Sequence, residues 1–213
     1  MRHPGIGQMM ILFSVTTIGI RGYNELFPGF ADNVFQRGAQ GLAWLTATMG
    51  LGAMAGGVWM LRRGGVRGLT GLAVNHTMFM SVAILGFTLT TNYWLALGAI
   101  FVSGFGMTVS GISAQTLVQT AVAPVMRGRV MAFYGMIFRA GPALGALISG
   151  WLATRMGFRL PVAVGSLICI LAWVWARLRL AAIRDALEGV PASVPEPEPE
   201  AVAEAEAPRA VAE

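Results

Sequence analysis

Residues 93 to 121 read YWLALGAIFVSGFGMTVSGISAQTLVQTA, a stretch without a single acidic or basic side chain. At ~1.5 Å per residue, an α-helix of this length can cross the ~30 Å hydrocarbon core of a bilayer. Unpaired backbone groups are very costly in hydrocarbon, and the stretch lacks the strict two-residue alternation of a barrel strand. The stretch therefore predicts a transmembrane helix.

Similar apolar runs lie on both sides of this one, separated by short breaks that contain Arg, Gly or Pro. The whole chain of 213 residues is 55% hydrophobic and 12% charged, with a mean hydropathy of +0.65, which is typical of membrane proteins. We predict an all-α membrane protein with six transmembrane helices in a domain of residues 1–184. The predicted spans are residues 6–31, 40–61, 69–90, 93–121, 129–153 and 160–179.

The charges are divided unevenly along the chain. Residues 1–184 hold 14 Arg and 2 acidic residues, whereas residues 185–213 hold 8 acidic residues and 1 Arg. The overall basic balance therefore does not indicate nucleic-acid binding. Alternating Pro and Glu in residues 185–213 cannot bury enough apolar surface to fold, so we predict a disordered tail. The tail is either a solvated extension or a segment that binds a partner.

Arginines in the short connections between spans indicate which side is cytoplasmic. With the N-terminus inside, the inner connections hold nine arginines and the outer ones three, so both termini are predicted to be cytoplasmic. A cleaved signal peptide in residues 1–20 is the alternative, but no small-residue cleavage site follows it. The inner arginines are Arg2, Arg62, Arg63, Arg67, Arg127, Arg129, Arg177, Arg179 and Arg184, and the outer ones are Arg37, Arg155 and Arg159.

Small residues and prolines within the spans predict how the helices pack. Glycines four positions apart let helix backbones approach closely, and proline removes a helical hydrogen bond and favours a kink. These features fit either static packing or helices that rock against each other. The candidate packing and hinge residues are Pro28, Gly52, Gly56, Gly141, Pro142 and Gly145.

Charged residues inside the predicted spans are the main functional signal. Ionisable groups at membrane depth usually line a water-filled path or a proton relay. In an α-helix Arg21 and Glu25 share one face and can form an ion pair; alternatively Arg21 snorkels to the interface. Arg139 lies in the middle of the fifth span, so two arginines face one acid. Either another segment supplies a carboxylate, or a positive cavity favours an anionic group on a substrate; purely structural pairing between helices is the remaining alternative.

The fourth span adds a possible polar lining. At ~100° per residue, Thr108, Gln115 and Gln119 fall within one narrow arc, where they can hydrogen-bond a substrate or a neighbouring helix. His76 is alone in the third span, so no metal site is predicted. We expect no cofactor, and the absence of paired carboxylates or a nucleophile and base in the spans argues against an enzyme.

The sequence resembles the C-terminal six-helix half of the major facilitator superfamily. Residues 21 to 32, RGYNELFPGFAD, are similar to the seventh helix of bacterial exporters in the branch with the enterobactin exporter and the transmembrane secretion effectors. Residues 124 to 129, PVMRGR, and residues 138 to 145, FRAGPALG, resemble that branch's tenth loop and eleventh helix. The resemblance covers roughly residues 4–180.

The cytoplasmic loop GVWMLRRGGVR, residues 57 to 67, resembles the family's gating motif, but Leu61 stands where the motif has Asp. The ion pair of that motif is therefore in doubt. The resemblance assigns a gating role to loop residues near the cytoplasmic surface. These residues are Arg62, Arg63, Gly64, Arg67, Arg127 and Arg129.

The resemblance implies secondary active transport by alternating access, in the bacterial inner membrane. The implied function is proton-coupled export of a small amphiphilic molecule, such as a siderophore or drug, through Glu25, with Arg21 and Arg139 tuning the site. Family members have two six-helix halves, so the implied partner is an N-terminal half or a second copy. The chain is then a truncated product, a fragment or a half-unit that dimerises. The alternative is a non-transporting membrane scaffold whose acidic tail binds a partner.

Overall fold

A computed structural model describes residues 4–65, 67–122 and 124–188. Within these ranges the chain is helical and has no strand. The α-helices are α1 (Pro4–Gly19), α2 (Phe27–Gly29), α3 (Gly38–Arg63), α4 (Leu69–Leu89), α5 (Tyr93–Ala121), α6 (Pro124–Met156), α7 (Arg159–Leu178) and α8 (Leu180–Glu188). A 3-10 segment, Arg21–Leu26, precedes α2, and a π-helical turn, Phe30–Val34, follows it.

Five of these helices, α3 to α7, are long and apolar enough to cross a membrane. Their ends lie within a few residues of the last five predicted spans. The largest difference is at the start of α6, because the residues after Pro124 continue the helix although their arginines end the apolar run. The predicted tail begins inside α8, and residues 189–213, like Arg2, lie outside the described residues.

The first predicted span, residues 6–31, is not one regular helix. The α-helix ends at Gly19, and the chain continues through the 3-10 segment, α2 and the π-helical turn. Two glycines hold this break between its neighbours: Gly19 faces the backbone of Gly165 on α7, and Gly22 faces the backbone of Gly145 on α6. A Cβ at Gly22 would overlap that backbone, and a Cβ at Gly19 would lie 2.8 Å from the Sγ of Cys169, so the break lies at contacts that are distant in sequence.

The helices pack around α5, α4 and α1. Helix α5 contacts both α3 and α4, α4 also contacts α7, and α1 lies against α6, α7 and α8. The ends of α3, α5 and α7 and the starts of α4 and α6 form what we call the basic end. The described inner arginines lie there, and Arg37, Arg155 and Arg159 lie at the opposite end. Arg159 donates to the carbonyl of Thr90 at 3.2 Å, which ties α7 to α4 at that opposite end.

The buried side chains form two apolar clusters, one toward each end. The cluster at the opposite end contains Phe30, Phe87 and Ile100, and the cluster at the basic end contains Leu69 and Leu117. Buried hydroxyl groups are spread along the helices, and one buried guanidinium, that of Arg21, lies near mid-depth. Most of these hydroxyls donate to a carbonyl one turn earlier in their own helix, as Thr16, Thr17 and Thr77 do. Arg21 is the charged residue among the buried polar side chains of the described ranges, and it marks the candidate site.

Candidate functional site

The guanidinium of Arg21 lies at the break of the first helix, near the middle of the bundle. Only 6% of the Arg21 side chain is exposed. Its Nη2 donates to the carbonyl of Met107 at 3.3 Å, and Met107 is the central residue of α5. The side chain therefore points toward mid-depth and does not snorkel to a membrane surface.

Three aromatic rings form a platform beside this guanidinium. The rings of Phe13, Tyr134 and Phe138 are nearly parallel, with interplanar angles of 10° to 21°. The Cζ atom of Arg21 lies 5.3 Å from the centre of the Phe13 ring and 5.0 Å from that of Phe138. Each such cation–π contact contributes about 0.5–2 kcal/mol. The hydroxyl of Tyr134 donates to the carbonyl of Gly111 at 3.3 Å, which holds α6 against α5.

Two polar atoms at this site have no hydrogen-bond partner among the described residues. The Nε of Arg21 is a buried donor without an acceptor, and the Oδ1 of Asn24 is a buried acceptor without a donor. In a 3-10 helix residues three apart are eclipsed, so Arg21 and Asn24 lie on the same side of the segment. A buried unpaired polar group costs about 1–3 kcal/mol, and a charged one costs more. The site therefore holds an unmatched donor and an unmatched acceptor on one face.

Arg21 and Glu25 do not form an ion pair. The side chain of Glu25 is exposed, whereas that of Arg21 is buried. The reason is the local geometry, because residues four apart share a face in an α-helix but diverge by about 120° in a 3-10 helix. The expected pairing assumed α-helical geometry, which these residues do not have.

Arg139 lies halfway along α6, immediately after Phe138 of the aromatic platform. Its side chain is exposed, and it makes no ion pair with any residue whose side chain the structure describes. A charged group facing hydrocarbon at this depth is very unfavourable. The surface of α6 around Arg139 is therefore unsuited to direct contact with lipid.

The polar residues of α5 have different environments. Thr108 is half-buried, and its Cβ lies close to Gly56 on α3, so it takes part in helix packing. Gln115 and Gln119 are both exposed on the half of α5 toward the basic end. Of the three predicted lining residues, the two glutamines are thus open to a ligand or to another protein surface.

Four of the singled-out glycines lie at close helix contacts. Gly52 and Gly56 of α3 face the backbone of Phe101 and Phe105 on α5. On α6, Gly141 faces Thr17 and Gly145 faces the carbonyl of Ile18, both on α1. Pro142 lies inside α6, which continues past it, and Pro28 lies in the first turn of α2.

The basic end carries the residues assigned to the gating loop. Arg62 and Arg63 end α3, and Gly64 follows them with a positive φ of 58°. Arg63 donates to the carbonyl of Arg67 at 2.7 Å, which closes the turn into α4. Arg127 and Arg129 are exposed in the first turns of α6, so they lie in a helix and not in a loop as predicted. Leu61, at the position where the gating motif has Asp, is 85% exposed.

A cleft of about 430 Å³ opens beside this turn, between the end of α3, the start of α4 and α5. Its lining is mostly apolar and includes Leu61, Leu69 and Ile112. No group of three or more His, Cys, Asp or Glu side chains that could hold a metal ion occurs within the described ranges.

Sequence reasoning missed several members of the mid-depth site. Phe13, Phe138 and Tyr134 read as ordinary apolar or helix-packing residues, because their shared contact with Arg21 exists only after α1, α5 and α6 have packed. Asn24 carried one usable signal, since it is three residues from Arg21 and a 3-10 segment places such residues on one side. That signal depends on knowing that the first helix breaks at Gly19.

Comparisons with known proteins agree with this architecture. The family model of the Major Facilitator Superfamily matches residues 9–212. The multidrug resistance proteins MdtH of Salmonella paratyphi B, Salmonella newport and Salmonella heidelberg are each 33% identical to this chain over 96 residues. Each match covers 43% of this chain and 24% of the relative, so the matched part is about a quarter of the relatives' length.

No solved structure matches the chain significantly. The family match, the apolar helices and the absence of strands in the described ranges agree in describing an integral membrane protein. The chain belongs to the Major Facilitator Superfamily.

Proposed function

We propose that this chain is part of a secondary active exporter of small amphiphilic molecules, such as drugs or siderophores, driven by protons. The multidrug resistance relatives favour an amphiphilic substrate. In this proposal α1 and the segments up to Val34 together form a sixth span, because their combined length is sufficient to cross the bilayer. The bundle then lies in the bacterial inner membrane with its basic end facing the cytoplasm. Both termini are cytoplasmic in this proposal, as the distribution of arginines favours.

The observation that carries this proposal is the buried cation at a break in a helix. Arg21 lies at mid-depth beside the 3-10 segment, and unpaired backbone groups and charges at this depth are tolerated where they line a binding site. Broken helices at the midplane are a general feature of transporter substrate sites. A helix bundle that served only as a scaffold has no need of an uncompensated charge there.

A second six-helix unit is the proposed partner. The exposed charge of Arg139 and the exposed amides of Gln115 and Gln119 require water or protein beside α6 and α5. A second unit, supplied by an N-terminal half or by another copy of this chain, would cover these helices and enclose a water-filled path. The acidic tail remains a solvated extension in this proposal.

Glu25 is the proposed coupling residue. It is one of 2 acidic residues in residues 1–184, it is exposed, and it lies on the same short segment as Arg21. Protonation of Glu25 on one side of the membrane and release on the other would couple export to the proton gradient, while Arg21 and Arg139 set the electrostatic potential of the path.

Transport by the reconstituted full chain tests this proposal. Proteoliposomes are loaded with an anionic or a cationic fluorescent amphiphile, and flux is measured after a pH gradient is imposed. We expect gradient-driven flux with the wild type and background flux with Glu25→Gln. Asp32→Asn is the matched control, because Asp32 is the other acid of residues 1–184, is also exposed and lies in the π-helical turn. Full transport by Glu25→Gln would remove Glu25 from the coupling role, and no flux with any amphiphile would favour the scaffold alternative.

Access of water to α6 tests the proposed path separately. We expect a membrane-impermeant, water-soluble thiol reagent to label Arg139→Cys in membranes. Ile168→Cys is the control, because Ile168 is 49% exposed near the middle of α7 among other exposed apolar residues and should face lipid. Equal labelling at both positions, or at neither, would argue against a water-filled path beside α6.

A further inference from the structure

The mid-depth site has a specific chemical deficiency. The guanidinium of Arg21 keeps a full positive charge, but its polar contact within the described ranges is one neutral carbonyl, that of Met107. Its Nε has a hydrogen to donate and no acceptor, and the Oδ1 of Asn24 can accept a hydrogen bond and has no donor. Such a site is completed by a ligand that brings an anionic oxygen and a neighbouring donor.

The described acidic side chains do not supply that oxygen. Glu25 and Asp32 are exposed on other sides of the broken segment, and Asp185 is exposed in α8 at the basic end. The aromatic platform of Phe13, Tyr134 and Phe138 lowers the cost of burying the cation but provides no counter-charge. A free anion that reaches Arg21 would therefore gain a charge-assisted hydrogen bond in a region of low dielectric.

We propose that Arg21, Asn24 and the aromatic platform bind amphiphilic aromatic anions that carry an anionic oxygen next to an O–H or N–H donor. The anionic oxygen accepts from the Nε of Arg21, the neighbouring donor binds the Oδ1 of Asn24, and the flat apolar body packs against Phe138, the exposed ring of the platform. Hydroxyaryl carboxylates have this arrangement of groups. The inference names the substrate class of the proposed exporter and rests on that function for its role, but the site can be tested by binding alone.

The surroundings of Arg21 provide a way for a ligand to enter. Pro142 has no N–H, so the carbonyl of Phe138, four residues earlier, lacks its helical hydrogen bond. Helix α6 is thus weakest where Phe138 contacts Arg21. On the α5 side, Gly111 lets the guanidinium approach closely, because a Cβ at this position would lie only 3.2 Å from Nη2. A bend of α6 at Pro142 would uncover the guanidinium without disturbing its contact with α5.

Equilibrium binding to the full chain in lipid nanodiscs, without any gradient, tests the proposal. Three fluorescent probes share one ring system: hydroxynaphthoate, with the hydroxyl next to the carboxylate; naphthoate, which lacks the hydroxyl; and a naphthylmethyl trimethylammonium cation. Binding is corrected for partition into empty nanodiscs. We expect hydroxynaphthoate to bind about tenfold more tightly than naphthoate, and the cation not to bind at the site.

Three substitutions distinguish the site from general adsorption. Arg21→Gln should weaken hydroxynaphthoate binding by about tenfold or more, because the charge-assisted bond is lost. Asn24→Leu should leave naphthoate binding unchanged and remove the preference for the hydroxylated probe. Arg155→Gln is the matched control, since Arg155 also contacts an aromatic ring of α6, that of Trp151 at 4.0 Å, but is exposed far from the site. This control should bind as the wild type does.

The outcomes separate this inference from the proposed export function. Unchanged binding by a folded Arg21→Gln protein, or tighter binding of the cation than of the anions, would overturn the inference. Gradient-driven transport of a cationic amphiphile would then still support export. If Arg21→Gln fails to give a monodisperse protein in detergent, Asn24→Leu decides the question, because an unchanged preference for hydroxynaphthoate also contradicts the proposed site.

Discussion

Two helix contacts in this protein use the same glycine spacing but differ in what surrounds them. At the α3–α5 contact, Gly52 and Gly56 of α3 face α5, and Gly104 of α5 faces the backbone of Met49 on α3. No proline and no buried charge occurs at this crossing. At the α1–α6 contact, Gly141 and Gly145 face α1, but Pro142 lies between them, and the broken segment with Arg21 lies next to it.

The difference teaches that close glycine packing alone does not reveal whether a contact is rigid or moves. The α3–α5 contact has complete helical hydrogen bonding on both sides of its glycines. The α1–α6 contact combines a missing hydrogen bond at Pro142 with unpaired polar atoms at Arg21 and Asn24, each of which lowers the cost of a rearrangement. We interpret the first contact as a fixed support and the second as the place where the bundle changes shape.

The largest expected effect comes from adding a side chain to the fixed support. Gly104→Val places atoms against the backbone of Met49 and Ala53, which cannot move aside. Overpacking of this kind should lower the free energy of unfolding by about 3 kcal/mol or prevent folding. Thermal unfolding in detergent measures the change. Gly98→Val is the control, because nothing lies within 4 Å of a Cβ at Gly98 on the same helix, and equal losses for both would contradict a close α3–α5 contact.

A smaller effect of opposite sign is expected at Arg21. Arg21→Leu removes a buried cation that lacks a counter-charge, so the free energy of unfolding should rise by about 2 kcal/mol while anion binding is lost. The melting temperature and probe binding are measured on the same preparation, with Arg155→Leu as the exposed control. A less stable Arg21→Leu protein would mean that the guanidinium is already satisfied in the resting bundle.

The smallest effect is expected from Pro142→Ala. Alanine can donate the missing hydrogen bond to the carbonyl of Phe138, so α6 should be stabilised by about 1 kcal/mol and proteoliposome flux should fall. Pro161→Ala is the control, because Pro161 lies in the first turn of α7, where a helix needs no such bond. Unchanged flux in Pro142→Ala would show that the α1–α6 contact does not need to bend.

The apolar patterning predicted the helices well, because length and hydropathy are local properties. The described bounds of α4 and α5, for example, differ from the predicted spans by at most one residue. The site was less accessible to sequence reasoning. Arg21 was singled out because it interrupts an apolar run, but its aromatic platform comes from α1 and α6 and could not be derived from spacing.

The break of the first helix was the main error, and tertiary contacts accompany it. Nothing in the run from Met9 to Glu25 forbids an α-helix, and Gly19 and Gly22 are tolerated in membrane helices. At the break, Gly19 and Gly22 lie against Gly165 and Gly145, which are far away in the chain, and Pro28 follows the 3-10 segment. The expected ion pair between Arg21 and Glu25 assumed α-helical geometry. The pairing was therefore wrong, because the two side chains point to different sides of a 3-10 helix.

The 3-10 segment also has a mechanical consequence. A 3-10 helix rises about 2.0 Å per residue and an α-helix about 1.5 Å, so the six residues Arg21–Leu26 are about 3 Å longer than they would be as an α-helix. A change of these residues from 3-10 to α-helix would shorten the segment and turn Glu25 toward the side of Arg21. A change between the two helical forms in this segment would therefore combine a translation along the helix axis with a rotation about it.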